Sequence, residues 1–210
     1  MLSYINSALS IVIAYLLGSI PFAYIIGRRR GLDIRQVGDR NVGTFNVFRH
    51  VGLAGGIVTL IADVGKGALA IAVAKLLSVP ELVVFGAGVA AVIGHNWSVF
   101  LRFRGGRGLA VVIGVLLALL PREMVIAAAL GIVVLFFTRS SVWFGVALFL
   151  TFILLCWLFK ERVSLLIYSA VLPCLSGLAH LLTTRHLSSE EQKEAVSFWV
   201  ARKEGHRQKH

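Results

Sequence analysis

The sequence is a series of long apolar runs separated by short polar segments. Because about 20 apolar residues are enough to cross a bilayer as a helix, the pattern predicts several membrane spans. We place seven of them at residues 5–26, 51–77, 82–101, 109–120, 124–137, 142–158 and 163–182. The fourth and fifth runs are short for spans, so either their flanks extend them or one is tilted or re-entrant. We therefore predict an all-α integral membrane protein with a membrane domain at 1–182 and a polar tail at 183–210.

The composition agrees with this pattern. Of the 210 residues, 58% are hydrophobic and the mean hydropathy is +0.85, whereas soluble domains are about 45–50% apolar. The first apolar run is too long for the core of a signal peptide and has no basic leader, so we expect a retained span. Cys156 and Cys174 both fall in apolar runs and are expected to be packing residues.

The basic residues indicate an orientation rather than a nucleic-acid partner. The net charge is +11, but the basic residues are dispersed over several loops, which argues against nucleic-acid binding. Of the 21 lysines and arginines, Lys66 lies within a span and four lie on one side of the seven spans: Lys75, Arg122, Lys160 and Arg162. All the others lie on the opposite side, so this side is predicted to be cytoplasmic, with the N-terminus outside and the C-terminus inside.

Residues 37–49 form a polar segment with the chemistry of an anion site. Glycines let consecutive backbone N–H groups point to one side, and Asn and Thr add neutral donors. Arg40 and Arg49 add guanidinium groups that suit phosphate oxygens. The alternative is a solvated loop whose arginines only set the topology.

Polar residues at two places lie inside predicted spans. Asp63 and Lys66 are three residues apart on one helix face, so Lys66 is either a phosphate ligand oriented by Asp63 or half of a structural pair near the helix end. His95, in Gly94-His95-Asn96, is either a general base or donor to substrate, or a buried histidine bonded to neighbouring backbone.

A second glycine-rich segment, Arg104 to Gly108, precedes the fourth apolar run. Glycines around an arginine at a helix start would combine freed N–H groups, a helix dipole and a cation, which favours anion binding. A nucleophile elbow, a zinc pattern and a Walker loop are all missing from the sequence, and neither His50 nor His95 is followed by an acyltransferase-type Asp.

In this order, the motifs resemble the PlsY family of acyl-phosphate:glycerol-3-phosphate acyltransferases. They are the segments 18–22, 32–38, 41–49, 63–67, 94–100 and 103–108. The resemblance implies a seven-span protein of the bacterial inner (plasma) membrane whose active site faces the cytoplasm. It implies transfer of an acyl group from acyl phosphate to glycerol-3-phosphate, giving lysophosphatidate. No cofactor or metal is expected, and we expect a monomer.

The resemblance also assigns residues. Asn41, Gly43, Thr44, Asn46 and Arg49 correspond to a first phosphate-binding loop, and Gly105, Gly106, Arg107 and Gly108 to a glycerol-3-phosphate loop, with Arg107 where the family usually has Lys. We expect Arg49, His95 and Asn46 to be catalytic. The remaining predicted substrate-binding residues are Lys66, Asn96 and His186. The base would be the substrate phosphate or His95.

Three departures from the family pattern are visible. Asp39 and Arg40 replace a Ser-Gly pair, and a carboxylate beside a bound phosphate is unfavourable unless Arg40 neutralises it. The segment around His186 lacks the Asn of the family, and a serine-rich element is reduced to Ser140-Ser141. These departures keep two alternatives open: a PlsY-like protein that binds without acylating, and a transporter of lipids or anions.

Overall fold

The computed structural model describes residues 2–184, which form nine α-helices and one 3₁₀ turn. The helices are α1 (Leu2–Ser19), α2 (Phe22–Arg29), α3 (Thr44–His50), α4 (Leu53–Leu76), α5 (Glu81–Asn96), α6 (Leu109–Leu119), α7 (Pro121–Thr138), α8 (Ser141–Leu158) and α9 (Val163–Thr184), and the 3₁₀ turn is Val99–Leu101. The prediction of an all-α protein is confirmed. Most of the polar tail, including His186, lies outside the described residues.

Five segments are long and apolar enough to cross a membrane. They are Leu2–Arg29, Leu53–Leu76, Glu81–Leu101, Pro121–Thr138 and Ser141–Leu158. Two shorter apolar helices, Leu109–Leu119 and Val163–Ala179, correspond to the fourth and seventh predicted runs. The chain is thus a multi-helix membrane protein, while the number of seven crossings and the external N-terminus stay predictions.

Prolines lie at two breaks between helices. The first run breaks after Ser19 and resumes as α2 at Phe22, so that Ile20 and Pro21 lie outside both helices. The second break separates α6 from α7, with Pro121 as the first residue of α7, where its missing N–H costs nothing. The first break was not predicted, and it leaves the Ile20 carbonyl available to a side chain of another helix.

Small residues allow the central helices to pack closely. A Cβ on Gly18 would collide with the backbone of Ala91, and one on Gly114 would collide with the backbone of Val64. These contacts join α1 to α5 and α4 to α6, as is common for helix pairs in membranes. The core around them is apolar and fully buried, with Ile71, Val92, Val115, Phe152 and Leu172 among its members.

The non-helical break between α1 and α2 lies beside the middle of α4. About 20 Å of helix, at 1.5 Å per residue, separate Leu53 from Lys66, yet Lys66 contacts the break between α1 and α2. Helix α3 packs beside the first half of α4, where Phe48 fills the space over Gly56. Non-helical backbone at this depth is tolerated where it is buried in protein or lines a cavity, so the fold provides a polar site below one surface.

The connecting segments fall into two groups at opposite ends of the bundle. At one end, Asn6 of α1 donates to the Leu77 carbonyl, Lys75 donates to the Ala118 carbonyl, and Arg162 pairs with Glu81. The segments 30–43 and 102–108 lie at the other end. This division supports the predicted grouping of loops on two sides.

Candidate active site

Helices α4 and α5 bring Asp63, Lys66 and His95 together. Lys66 Nζ lies 2.9 Å from Asp63 Oδ1 and 2.9 Å from His95 Nδ1, and it donates to the Ile20 carbonyl at 2.8 Å. Asp63 is 1% exposed and Lys66 is 4% exposed. A buried charge without a partner is strongly unfavourable, so each member of the pair Asp63–Lys66 requires the other.

Lys66 has three polar partners inside the protein: hydrogen bonds join it to the Ile20 carbonyl and His95 Nδ1, and an ion pair joins it to Asp63. A protonated lysine has three donors and no acceptor, and its three partners here are a carboxylate, a carbonyl and an imidazole nitrogen. Lys66 would have to give up one of these bonds to bind a phosphate directly. The geometry therefore favours the structural reading of the pair, in which Lys66 links α4, α5 and the α1–α2 break.

His95 is held in one tautomer by this contact. Since the ammonium group of Lys66 can only donate, His95 Nδ1 must accept, and the ring proton resides on Nε2. Nε2 lies against Gly106, where any Cβ would collide with it. In this tautomer the imidazole carries its N–H on the side of Gly106, which suits donation to a substrate oxygen.

Asn46 organises the first polar segment. Its Nδ2 lies 3.0–3.1 Å from the carbonyls of Ile34, Val37 and Asn41, so its two N–H groups are shared among three acceptors and hold the chain on both sides of Gly38. Gly38 has φ +56° and packs against Asn46, a position where only glycine fits. Beside this frame, the Thr44 hydroxyl and Asn41 Oδ1 are buried and have no hydrogen-bond partner in the range 2–184.

The second glycine segment lies against the C-terminal end of α5. The N–H groups of Gly105 and Gly106 donate to the carbonyls of Asn96 and His95, both at 3.0 Å. The expectation that these N–H groups are free for an anion is therefore wrong, because they cap α5 instead. Glycine is needed here because the segment packs directly against the end of α5, and a Cβ on Gly105 would collide with the His95 carbonyl.

Asp39 and Arg107 join the two segments. Arg107 Nη1 lies 2.9 Å from Asp39 Oδ2, and the side chains are 11% and 4% exposed. Burial lowers the pKa of Arg107, and the Asp39 carboxylate opposes this shift, so the guanidinium stays charged near neutral pH. The sequence offers Arg40 as a cation for Asp39, and the structure places Arg107, from the other segment, against this carboxylate.

Asn96 is a second buried polar group with unused hydrogen-bonding capacity. It is 5% exposed, and neither its Nδ2 nor its Oδ1 has a hydrogen-bond partner within the described part of the chain. It lies next to Gly108, which has φ +82° and directly precedes α6. This position fits the predicted role of Asn96 in binding substrate.

Comparison with known proteins places this chain in a family. The family described as glycerol-3-phosphate acyltransferase matches residues 8–192. The chain belongs to this family. A glycerol-3-phosphate acyltransferase 4 of Dehalococcoides mccartyi is 39% identical over 178 residues, which cover 84% of this chain and 96% of that protein. A glycerol-3-phosphate acyltransferase of Geotalea daltonii is 35% identical over 179 residues, covering 85% and 92%.

Solved structures of the family share the fold. The crystal structure of PlsY, an integral membrane glycerol 3-phosphate acyltransferase, in its glycerol 3-phosphate form superposes with a TM-score of 0.77 at 30% identity, covering 85% of this chain and 93% of PlsY. The lysphosphatidic acid form gives a TM-score of 0.75 at 28% identity. The resemblance inferred from the motifs is thus confirmed, and the transporter alternative is not favoured.

The structure brings part of the predicted site into one small cavity. Lys66, His95, Gly105 and Gly106 line it together with Ile20, Pro21, Val42, Asp63 and Ser98. The other predicted residues do not line this cavity but are close in sequence to residues that do. They are Asn41 and Gly43 just before α3, Thr44 and Asn46 in its first turn, the half-buried Arg49 in its last turn, and Asn96, Arg107 and Gly108 around the α5–α6 connection.

Sequence reasoning missed the contribution of the α1–α2 break. Ser98 Oγ donates to the Ser19 carbonyl at 2.6 Å, and Lys66 donates to the next carbonyl, that of Ile20. Both carbonyls are accessible because the helix ends at this point. The signal was Pro21 inside an apolar run, since a proline there removes a helical hydrogen bond and marks a break.

Proposed function

We infer that this protein transfers a fatty acyl group to the 1-hydroxyl of glycerol-3-phosphate and so forms lysophosphatidate, and we propose acyl phosphate as the donor. The observation that carries the inference is the family match over residues 8–192, together with the likeness to PlsY in its glycerol 3-phosphate form. The site adds buried donors around two cationic segments, which suits phosphorylated substrates.

An acyl phosphate needs no protein nucleophile. It is a mixed anhydride, so the glycerol hydroxyl can attack the acyl carbon directly. A new ester C–O bond forms, the bond to the phosphate oxygen breaks, and inorganic phosphate leaves. Positioning of the two substrates and stabilisation of the developing negative charge would then supply most of the rate.

We propose that the substrate phosphate accepts the hydroxyl proton. His95 was the other candidate base, but its Nδ1 accepts from Lys66, so Nε2 carries the proton. In this mechanism His95 donates from Nε2 to the developing oxyanion, and Lys66 holds the imidazole in place. Arg49, Arg107, Thr44 and Asn96 would bind the phosphate groups.

We propose that the site opens to the cytoplasm of a bacterial plasma membrane and that the protein acts as a monomer. The grouping of segments 30–43 and 102–108 at one end of the bundle supports the first point, because these segments carry most of the loop arginines of the described residues. Basic loops are retained on the cytoplasmic side.

The function is tested with purified protein in detergent. Palmitoyl phosphate and glycerol-3-phosphate are supplied, and the lipids formed are identified by mass spectrometry, with palmitoyl-CoA as the control donor. We expect lysophosphatidate from the acyl phosphate only. Arg49→Ala should lower the rate at least about 100-fold, as expected when a charged phosphate contact is lost. Near-normal rates in Arg49→Ala and Arg107→Ala would exclude the assignment of these residues.

A further inference from the structure

Only one of the three guanidinium nitrogens of Arg107 has a polar partner among the described residues. Nη1 binds Asp39 Oδ2, while Nε and Nη2 are buried and have no hydrogen-bond partner among residues 2–184. The N–H groups of Nε and Nη2 point the same way and form the edge with which arginine binds two oxygens of a phosphate. Buried donors without partners are rare and costly, which indicates that this edge of the guanidinium binds a ligand.

The backbone on both sides of the Arg107 side chain is already fixed. Before it, Gly106 donates its N–H to the His95 carbonyl, and the Arg107 carbonyl itself accepts from Ser176 Oγ of α9 at 2.7 Å. The remaining freedom is rotation of the long side chain. The contact between Nη1 and Asp39 removes this rotation.

Asp39 is suited to this task because its own loop holds it rigidly. The carboxylate is 3% exposed, and Oδ1 accepts from the Asn41 N–H at 3.3 Å while Oδ2 binds Arg107. The turn closes with Arg40 donating its N–H to the Val37 carbonyl, and Asn46 binds the Val37 and Asn41 carbonyls. The two oxygens of Asp39 thus bridge one segment to the other.

We propose that Asp39 is a positioning residue that binds Nη1 of Arg107 and so presents the Nε–Nη2 edge to the phosphate of glycerol-3-phosphate. The inference rests on the function proposed above. The carboxylate lies on the far side of the guanidinium from that edge, so it orients the cation without meeting the substrate phosphate itself.

The test is Asp39→Asn, with kinetics for both substrates. An asparagine has one acceptor oxygen and cannot serve both Arg107 and the Asn41 N–H. We expect the KM for glycerol-3-phosphate to rise about tenfold, while kcat and the KM for acyl phosphate change less than about twofold. Asp39→Glu, which keeps the charge, should recover part of the KM. Asp33→Asn makes the same charge change in the same segment, away from Arg107, and should leave both KM values unchanged.

A double-variant cycle separates positioning from a simple lock between loops. Lysine has no two-nitrogen edge, so in an Arg107→Lys background Asp39→Asn should change the KM for glycerol-3-phosphate less than about twofold. The proposal is overturned if Asp39→Asn leaves this KM unchanged, if its effect is equally large in the Arg107→Lys background, or if kcat and both KM values worsen together.

Binding measurements keep this test independent of the proposed reaction. If the wild type forms no lysophosphatidate, the function fails, but the affinity for glycerol-3-phosphate can still be measured by calorimetry. About tenfold weaker binding by Asp39→Asn, and none of this loss in the Arg107→Lys background, would still support the positioning role. Equal affinities of wild type and Asp39→Asn would overturn it.

Discussion

The two ends of the helix bundle differ in how completely their ion pairs are buried. At the site end, the pairs Asp63–Lys66 and Asp39–Arg107 have side chains that are at most 11% exposed. At the other end, Arg162 and Glu81 pair at 2.8 Å with side chains 68% and 42% exposed. Exposed pairs contribute little to stability, whereas buried charges must be matched. Glu123 at the far end is also buried, but its partner Arg122 is 59% exposed. The pairs Asp63–Lys66 and Asp39–Arg107, in which both charges are buried, lie where substrate chemistry is proposed.

The backbone differs in the same way between the ends. At the far end, short turns connect full helices, as between α4 and α5. At the site end the chain breaks at Ile20, runs irregularly from 30 to 43, and folds closely over the end of α5 through Gly105 and Gly106. Changes at the two ends should consequently differ in size, and five experiments test this difference.

The largest effect is expected from Lys66→Met. This change leaves the Asp63 carboxylate buried without its cation and removes the donor to His95 Nδ1. Losing one partner of a buried pair costs about 3–5 kcal/mol, so we expect a strongly lowered thermal stability in detergent and no detectable activity. The measurement is the unfolding midpoint together with the acyl-transfer rate.

The double variant Asp63→Asn/Lys66→Met is the control for this experiment. It removes both charges, so most of the stability should return, but the activity should not, because His95 still lacks its partner. Unchanged stability in Lys66→Met alone would show that the pair does not support the fold.

A somewhat smaller effect is expected from Gly106→Ala. The new methyl group would collide with the His95 ring and the Val42 carbonyl, which are both part of the cavity wall. We expect activity to fall more than about 100-fold, since displacement of groups by about 1 Å can cost that much.

Gly65→Ala is the matched control on α4. Nothing lies within 4 Å of a Cβ at this position, and alanine favours a helix over glycine by about 1 kcal/mol. We expect equal activity and equal or higher stability. If Gly65→Ala and Gly106→Ala have the same activity, close packing at Gly106 is not required for activity.

The local features of this chain were predictable from sequence and the distant contacts were not. The pair Asp63–Lys66 follows from a spacing of three residues on one helix, and the end of α6 follows from Pro121. The contact of Asp39 with Arg107 did not follow, because Arg107 is distant in sequence and becomes adjacent only through the fold.

Helix α3 shows the same limit for secondary structure. Thr44–His50 was assigned to a loop, since seven residues with glycine and asparagine nearby give a weak helical signal. Its helical form is stabilised by tertiary contacts, such as Phe48 over Gly56 and Val47 beside Gly55. The hydrogen bonds of the Gly105 and Gly106 N–H groups were missed for a similar reason, because their acceptors lie on α5.

The role of His95 can be tested by His95→Gln and by ¹⁵N NMR. We expect the Nε2–H tautomer in the wild type, since Nδ1 accepts from Lys66. The variant should lose about 100-fold in rate, as for removal of one donor to an oxyanion, with an unchanged shape of the pH–rate profile. A pH limb that is present in the wild type and lost in the variant would instead identify His95 as the base.

A modest effect on stability, and none on the rate, is expected for Asp33→Asn. The hydrogen bond from Arg35 lowers the pKa of Asp33 from 3.8 to about 2, with a further contribution from Arg28. A lowered pKa stabilises the folded state above pH 3.8, and this stabilisation disappears as the pH falls through about 2. The difference in unfolding midpoint between wild type and variant should thus be constant from pH 7 to about 4 and vanish near pH 2. A difference that persists at about pH 2 would contradict this ion pair as its source.

The smallest effect is expected at the far end, from Arg162→Ala. The variant breaks the exposed contact with Glu81 between the α8–α9 connection and the start of α5. Such pairs contribute about 0–1 kcal/mol and are screened by salt, so the unfolding midpoint should shift little and still less at high salt. The acyl-transfer rate should match the wild type, because the proposed site lies at the other end of the bundle. A loss of activity comparable to that of Lys66→Met would show that the two ends are coupled. The burial of an ion pair would then not predict whether the pair affects activity.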